Sequence, residues 1–333
     1  MNEYIKLIEN ARKKAICPLC KCMYPSCDKE PIKSHTFQKN GMLRKIAEKG
    51  KVMSFEYKSL YSLSNNETPI GYKERGCQEK FFCFYGFCSN HDAKVFQPIE
   101  KPEGDVDWRD VKNQYLLAYR TICRELYMDF QVRKILYNLC QYYYTDEILV
   151  ELSNINRSIQ EIIEYKRLFE EGIFNNNYSK YYFKIVELPF KLELCLASPI
   201  TISEELNGFC FNTEQKQLEQ INVVEVFPYK NRTMIILGFL KESPNKWMGK
   251  IYENLHSDDI NDICISLQDF LFRSEYHCIS KKLYCEIRDE LPQFFQEWCR
   301  LKRMYNAQLE YKSNILRKPV MKLLGYNDED IMQ

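Results

Sequence analysis

The side chains best suited to chemistry in this 333-residue chain are cysteines and histidines near its start. One cluster reads Cys17-Pro-Leu-Cys20-Lys-Cys22-Met-Tyr-Pro-Ser-Cys27, and a second reads Phe87-Cys88-Ser-Asn-His91-Asp92. A C-x2-C or C-x4-C knuckle turns two sulfurs toward one point, and C-x2-H supplies two more ligands. Together they can complete a tetrahedral site of three sulfurs and one nitrogen, which suits structural Zn²⁺. Two N-terminal pairs have acceptable spacing, Cys17 with Cys20 and Cys22 with Cys27, and the site needs one of them. Cys22 and Cys27 are favoured, because they lie nearer His35 and because Pro25 can form the tight turn between them. Cys17 and Cys20 are the alternative pair. In a further alternative His35 is the fourth ligand and His91 is free.

The other cysteines argue for the same chemistry. The chain has fifteen, and seven of them (Cys17, Cys20, Cys22, Cys27, Cys77, Cys83, Cys88) fall in the first hundred residues. Met1 to Lys14 is polar and mixed in charge, unlike a secretory signal, so reduced thiols and a cytoplasmic location are expected. An odd total also leaves one cysteine unpaired in any all-disulfide scheme. No stretch approaches about eighteen uncharged apolar residues, so no transmembrane helix and no membrane partner are expected.

His35 lies in Pro31-Ile-Lys-Ser-His-Thr-Phe37, a β-prone segment a few residues after the first cysteines. A strand end carrying a histidine beside a zinc-stapled turn resembles the treble-clef zinc module of the HNH, or ββα-metal, nucleases, over residues 17–96. The resemblance implies a general-base role for His35, which would activate water, and a divalent cation (Mg²⁺ or Mn²⁺) that stabilises the leaving oxygen. It makes Asp92, directly after the second knuckle, and Asn90 the candidates to hold or orient that cation. Lys33, Lys39, Arg44 and Lys45 would then meet phosphates. The alternative is a non-catalytic zinc finger that binds nucleic acid or a partner protein, or only staples the fold. A companion subunit, as in multi-protein bacterial defence systems, is compatible with the Lys, Asn, Ile and Tyr bias of an AT-rich genome.

Charge distribution bears on the partner. The net charge is +1, but residues 1–100 hold 17 Lys/Arg against 11 Asp/Glu, leaving 30 against 35 in the remainder. A basic head on an acidic body fits a head that meets phosphate.

The elements that must position these residues follow from hydrophobic period. Asn65 to Gly86 reads as a loop or hairpin insertion between the halves of the metal site, and Gln97 to Asp105, with two prolines and a glycine, ends the first module. From Trp108 the apolar residues Val111, Tyr115, Tyr119, Ile122, Leu126 and Phe130 recur every three or four positions, predicting one long helix or two in line. Thr145 can cap a second helix running to Gly172, and the two should pack as an antiparallel hairpin.

The period then changes to two. Leu188, Phe190, Leu192, Leu194 and Leu196 predict a half-buried strand, with further strands at Gly208–Thr213, Ile221–Phe227 and Thr233–Leu240. Helices are expected from Ser243-Pro244, from Ser257 through Phe270, and over Lys281 to about Met304. The expected fold is thus α+β, with an N-terminal zinc module (1–104), a helical hairpin spacer (105–174) and a C-terminal antiparallel sheet with covering helices (175–333).

Other chemistries find no support. No Gly-rich phosphate loop, dinucleotide fingerprint or G-x-S-x-G elbow occurs. His256 and His277 have no neighbouring ligand motif and read as surface or core residues. Tyr142-Tyr143-Tyr144 and Tyr181-Tyr182-Phe183 could stack on bases, but a packed helix end and a packed strand start are the plainer readings.

Overall fold

Two apolar runs dictate the centre of the molecule. Ile221–Tyr229 (β7) and Arg232–Leu240 (β8) are buried along almost their whole length, so they do not alternate as half-exposed strands do. They pair as a hairpin across Lys230 and Asn231, with Lys230 in the left-handed region at φ 53°. The computed structural model describes residues 3–15, 19–37, 39–59, 68–101, 106–201, 221–241, 246–301 and 314–327. The expected strand Gly208–Thr213 and the expected start Ser243-Pro244 lie outside these residues.

The other strands of the main sheet are Lys51–Tyr57 (β2), Ile70–Gly76 (β3), Tyr181–Leu188 (β5), Leu194–Thr201 (β6) and His277–Ile279 (β9). Among the described residues they form a seven-stranded sheet of order β3-β2-β9-β6-β7-β8-β5, every neighbour antiparallel. A hairpin from the first hundred residues, β2–β3, thereby extends the same sheet as the strands after residue 180. Ser34–His35 (β1) and Cys83–Phe84 (β4) make a separate two-stranded ladder.

The period-two stretch from Leu188 to Leu196 is not one strand. β5 stops at Leu188 and β6 starts at Leu194. Pro189 lacks the N–H a continuing ladder needs, and the link is held elsewhere: Leu192 N donates to Thr233 Oγ1 (2.8 Å), which donates to Phe190 O (2.7 Å). The link therefore crosses the ends of β8 and β7 and delivers β6 to the far side of β7.

The helical hairpin forms as expected. Val111–Cys140 (α4) is a single helix capped by Asp110, whose carboxylate accepts from Lys112 N at 2.9 Å. Asp146–Asn175 (α5) is capped by Thr145 and closed by Asn176 in the left-handed conformation. The two run antiparallel, tied by Tyr115 Oη to Leu168 O (3.0 Å) and Ser158 Oγ to Asp129 Oδ2 (2.8 Å). At the turn between them Tyr142 and Tyr144 are 67% and 79% exposed, so that tyrosine run is not a packed helix end. Tyr181 does pack, stacked on Phe169 at 4.0 Å.

Alternate residues of the central strands feed two cores. Cys195, Ala197, Val223, Phe227, Met234 and Ile236 join α4, α5 and the cysteine-rich segment in one; Leu194, Leu196, Val224, Val226, Ile235 and Leu237 join the C-terminal helices in the other. The result is a sheet between two helical layers. The second layer holds Lys246–Asn254 (α6), Ile260–Arg273 (α7), Lys281–Ile287 (α8), Leu291–Leu301 (α9) and Arg317–Leu323 (α10). α7 begins at an Asp259 cap, three residues later than expected, because Ser257 Oγ donates instead to Asp262 Oδ2 at 2.7 Å.

Glu3–Ala15 (α1) and Ser89–Phe96 (α3) both pack against α4, which Phe84 of the two-stranded ladder also meets at Tyr127. No helix among the described residues is long and apolar enough to cross a membrane.

Candidate metal centre

Four ligand-type side chains converge where the first knuckle meets the start of α3. The donor atoms of Cys22, Cys27, Cys88 and His91 all lie within 4.8 Å of one another. Cys22 Sγ and Cys88 Sγ sit 3.5 Å and 3.4 Å from His91 Nδ1, and Cys27 Sγ is 3.9 Å from Cys88 Sγ. Three sulfurs and one imidazole nitrogen at these separations form a donor set that could hold a metal such as zinc.

Local chain chemistry builds each half. Cys27 N donates to Tyr24 O at 3.2 Å, with Pro25 at the first inner position and Ser26 at φ 59°, a type II turn that brings the two thiols together. Cys22 N bonds Lys29 O (2.8 Å), and Met23 N bonds Gly86 O (2.6 Å), clamping the knuckle to the segment that joins β4 to α3. Gly86 is required there, since a Cβ would meet the Phe84 ring at 2.3 Å. On the other half Cys88 is the residue capping α3, and His91 follows in the first turn.

The electrostatics follow from this placement. Burial pushes the Cys22 thiol up to about 11. Burial acts on Cys88 in the same direction, but the N–H groups of His91 and Asn90 and the neighbouring Cys27 and Cys22 thiols outweigh it, so its pKa is lowered. A sulfur at a helix N-terminus is held as thiolate in this way. The pKa of His91 is lowered by burial and by Lys29 and Lys94, a shift that favours the neutral ring a metal ligand needs.

Of the other candidate ligands, Cys17 lies outside the described residues. Cys20 is exposed and not part of the four-residue group. His35 is not part of it either, because it belongs to β1, paired with Cys83 across the ladder. The alternative with His35 as fourth ligand is therefore not the arrangement present.

Asp92 follows the cluster on α3 and turns inward. It is half-buried, and burial raises its carboxyl above the usual range, opposed by the Ser34 hydroxyl, Arg120 and His35. Neither Asp92 Oδ1 nor Ser34 Oγ makes a well-formed hydrogen bond. Behind them Arg120 is buried, ion-paired with Glu100 and set 4.2 Å from the centre of the Phe96 ring. Asn90 is exposed on α3 two positions from Asp92, a spacing that places the two on opposite sides of a helix. Lys33 and Arg44 are exposed and Lys45 is half-buried, while the Lys39 side chain is outside the described residues.

His277 is a core histidine on β9. Its Nε2 lies 2.7 Å from Tyr72 Oη, its ring stacks on Phe55, and burial lowers its pKa to about 3. His256 is exposed and bonded to Tyr252 O at 2.8 Å.

Two elements around the site were not read from the sequence. The strand Lys51–Tyr57 had a usable signal in Val52, Met53, Phe55 and Tyr57, all β-formers. β9 has three residues, too few for any period to show.

Fold and site together define a mixed helix and sheet protein with a seven-stranded antiparallel sheet and a Cys3His cluster near its N-terminus. No protein-family model, no curated protein and no solved structure matches the chain.

Proposed function

We propose that the protein is a metal-dependent nuclease of the HNH type acting on DNA or RNA, with Zn²⁺ at Cys22, Cys27, Cys88 and His91 as a treble-clef staple. The observation that carries this reading is the half-buried Asp92 carboxylate, whose Oδ1 makes no well-formed hydrogen bond and lies within electrostatic reach of His35. Buried carboxylate oxygens normally make well-formed hydrogen bonds, so one that does not, beside a strand-borne histidine, fits a ligand position for a divalent cation. A Mg²⁺ or Mn²⁺ ion there would stabilise the leaving oxygen of the scissile phosphodiester. His35 takes a proton from water as it attacks phosphorus, and Asp92 sets where the cation sits. Zinc held by Cys22, Cys27, Cys88 and His91 would tie the start of α3 to the knuckle and so help hold Asp92 in place.

The test uses purified protein with Mn²⁺ and plasmid or single-stranded substrate. Cutting should occur, and it should fall at least a hundredfold in His35→Ala and Asp92→Asn with zinc content and circular dichroism unchanged. Absence of cutting on every nucleic acid, with zinc bound, sinks the reading.

One observation favours a second reading, a non-catalytic zinc finger serving a partner protein or nucleic acid. Glu100, a second carboxylate that acts on Asp92, is ion-paired to Arg120, which leaves Asp92 as a single carboxylate, the least that a catalytic cation takes. Under that reading binding to nucleic acid or to a companion subunit survives in His35→Ala.

A further inference from the structure

At the end of β9 remote from Phe37 and the ladder, lysines from four separate stretches of chain meet. A cavity of about 240 Å³ is lined by Lys191, Glu193, Lys282, Glu286 and Lys322, with apolar walls from Leu192, Leu283 and Pro319. It opens between the link joining β5 to β6, the helix α8 and the helix α10. Lys45, from the helical turn Arg44–Ile46 (α2), adjoins it: Lys191 Nζ donates to Lys45 O at 3.2 Å.

The nearby acids are mostly committed to other groups. Glu193 Oε2 accepts from Ser280 Oγ at 2.6 Å, and its other oxygen is 3.8 Å from Lys191 Nζ. Glu48 accepts from the backbone N–H of Lys282 at 2.7 Å, and Glu74 is shared by Lys51 and Lys281. Three ammonium groups, those of Lys191, Lys282 and Lys322, thus gather with two carboxylates on the cavity wall, and the Lys45 ammonium stands close enough to Lys191 to feel its charge. Like charges crowd as a result: burial first, and then the charge of Lys191, lowers the pKa of Lys45. An anion with two or more negative oxygens would relieve that repulsion, and ammonium groups on flexible stems suit phosphate as point charges.

We infer that this cavity is a phosphate-binding site, taking a phosphate group through Lys191, Lys282 and Lys322. The phosphate can belong to a nucleic-acid backbone or to a small phosphate compound, and the shared chemistry is the same. The inference does not depend on His35 or Asp92 being catalytic. Lys282 and Lys322 are exposed side chains on helices, so charge reversal there spares the core.

The probes are inorganic pyrophosphate, followed by calorimetry, and a fluorescein-labelled 20-mer DNA, followed by anisotropy without added divalent cation. Each is run on the full chain, on Lys282→Glu/Lys322→Glu, on Lys282→Arg/Lys322→Arg, and on Lys13→Glu in α1 as a control for charge reversal away from the cavity. The site predicts at least tenfold weaker binding in the double Glu variant, with the Arg variant and the control within about threefold of wild type. If DNA is the ligand, the slope of log affinity against log salt becomes shallower by about one to two. Loss confined to DNA assigns a nucleic-acid backbone, and loss for pyrophosphate alone assigns a small phosphate compound. The inference is overturned if neither probe binds the wild type, if the double Glu variant binds as wild type does, or if the Lys13→Glu control loses as much.

Discussion

The ring of Tyr24 is stacked on the imidazole of His91, with centroids 3.9 Å apart and planes at 22°, and its edge meets Phe174 in the last turn of α5 at 5.4 Å. The histidine of the metal cluster is thereby braced by the knuckle that supplies two of the sulfurs and, through it, by the helical hairpin. Aromatic pairs of this kind contribute about 1 kcal/mol beyond their buried area, and residues that orient a ligand typically change metal affinity about 10–100-fold. Tyr24→Phe should therefore behave as wild type, while Tyr24→Ala should release zinc to a chelator at least tenfold faster. Equal release rates in the two variants would remove Tyr24 from the site's support.

Ligand loss should be more severe. In Cys88→Ser the helix N-terminus keeps its N–H donors but loses the thiolate they stabilise, so bound zinc should fall from about one per chain to a small fraction by elemental analysis. Loss of about 3–5 kcal/mol would lower Tm by roughly 4–7 °C in a chain of this size. Cys20→Ser, at an exposed thiol apart from the cluster, should retain both zinc content and Tm.

Gly86 offers a backbone test of the same site. A methyl group there would collide with the Phe84 ring and press on Met23 Sδ at 3.3 Å, and Met23 N is bonded to Gly86 O. Gly86→Ala should cost about 1–3 kcal/mol in denaturant unfolding and weaken zinc retention. A variant that unfolds at the wild-type midpoint with full zinc would show that the clamp between the knuckle and the segment before α3 is dispensable.

Stability should also depend on pH through the helical hairpin. Burial, reinforced by Glu125, pushes Asp129 from 3.8 up to about 7, against the hydrogen bond it accepts from Ser158. An acid with a raised folded pKa binds its proton more tightly in the folded state, so it favours folding at low pH. That contribution disappears as pH rises from about 4 through 7. Asp129→Asn, which can still accept from Ser158, should raise Tm by a few degrees at pH 8 relative to wild type. The advantage should vanish near pH 4. A pH-independent difference would mean that packing, and not ionisation, is at stake.

Much of this was written in local sequence. The two knuckles fix their own geometry, since Pro25 and Ser26 make the turn between Cys22 and Cys27, and one helical turn separates Cys88 from His91. The long helices were equally legible, because a 3.6-residue apolar period over thirty residues and the caps at Asp110 and Thr145 are local features. The strand after Leu188 was misread because apolar alternation ran on through Pro189 into a link whose hydrogen bonds come from Thr233, more than forty residues away.

What the tertiary structure decided is which distant groups share a neighbourhood. Sequence spacing left two cysteine pairs and two histidines competing for the cluster; the pairing of His35 with Cys83 and the clamp of Met23 on Gly86 placed Cys22 and Cys27, with His91, against Cys88. The sheet shows the same rule, with β2 and β3 joining it, among the described residues, through the three residues of β9, and so does the lysine cavity, assembled from positions 191, 282 and 322. Caps, turns and periods depend on neighbours within a few residues and can be read from one stretch of chain. Long-range pairing depends on which surfaces bury one another, and no single stretch carries that information.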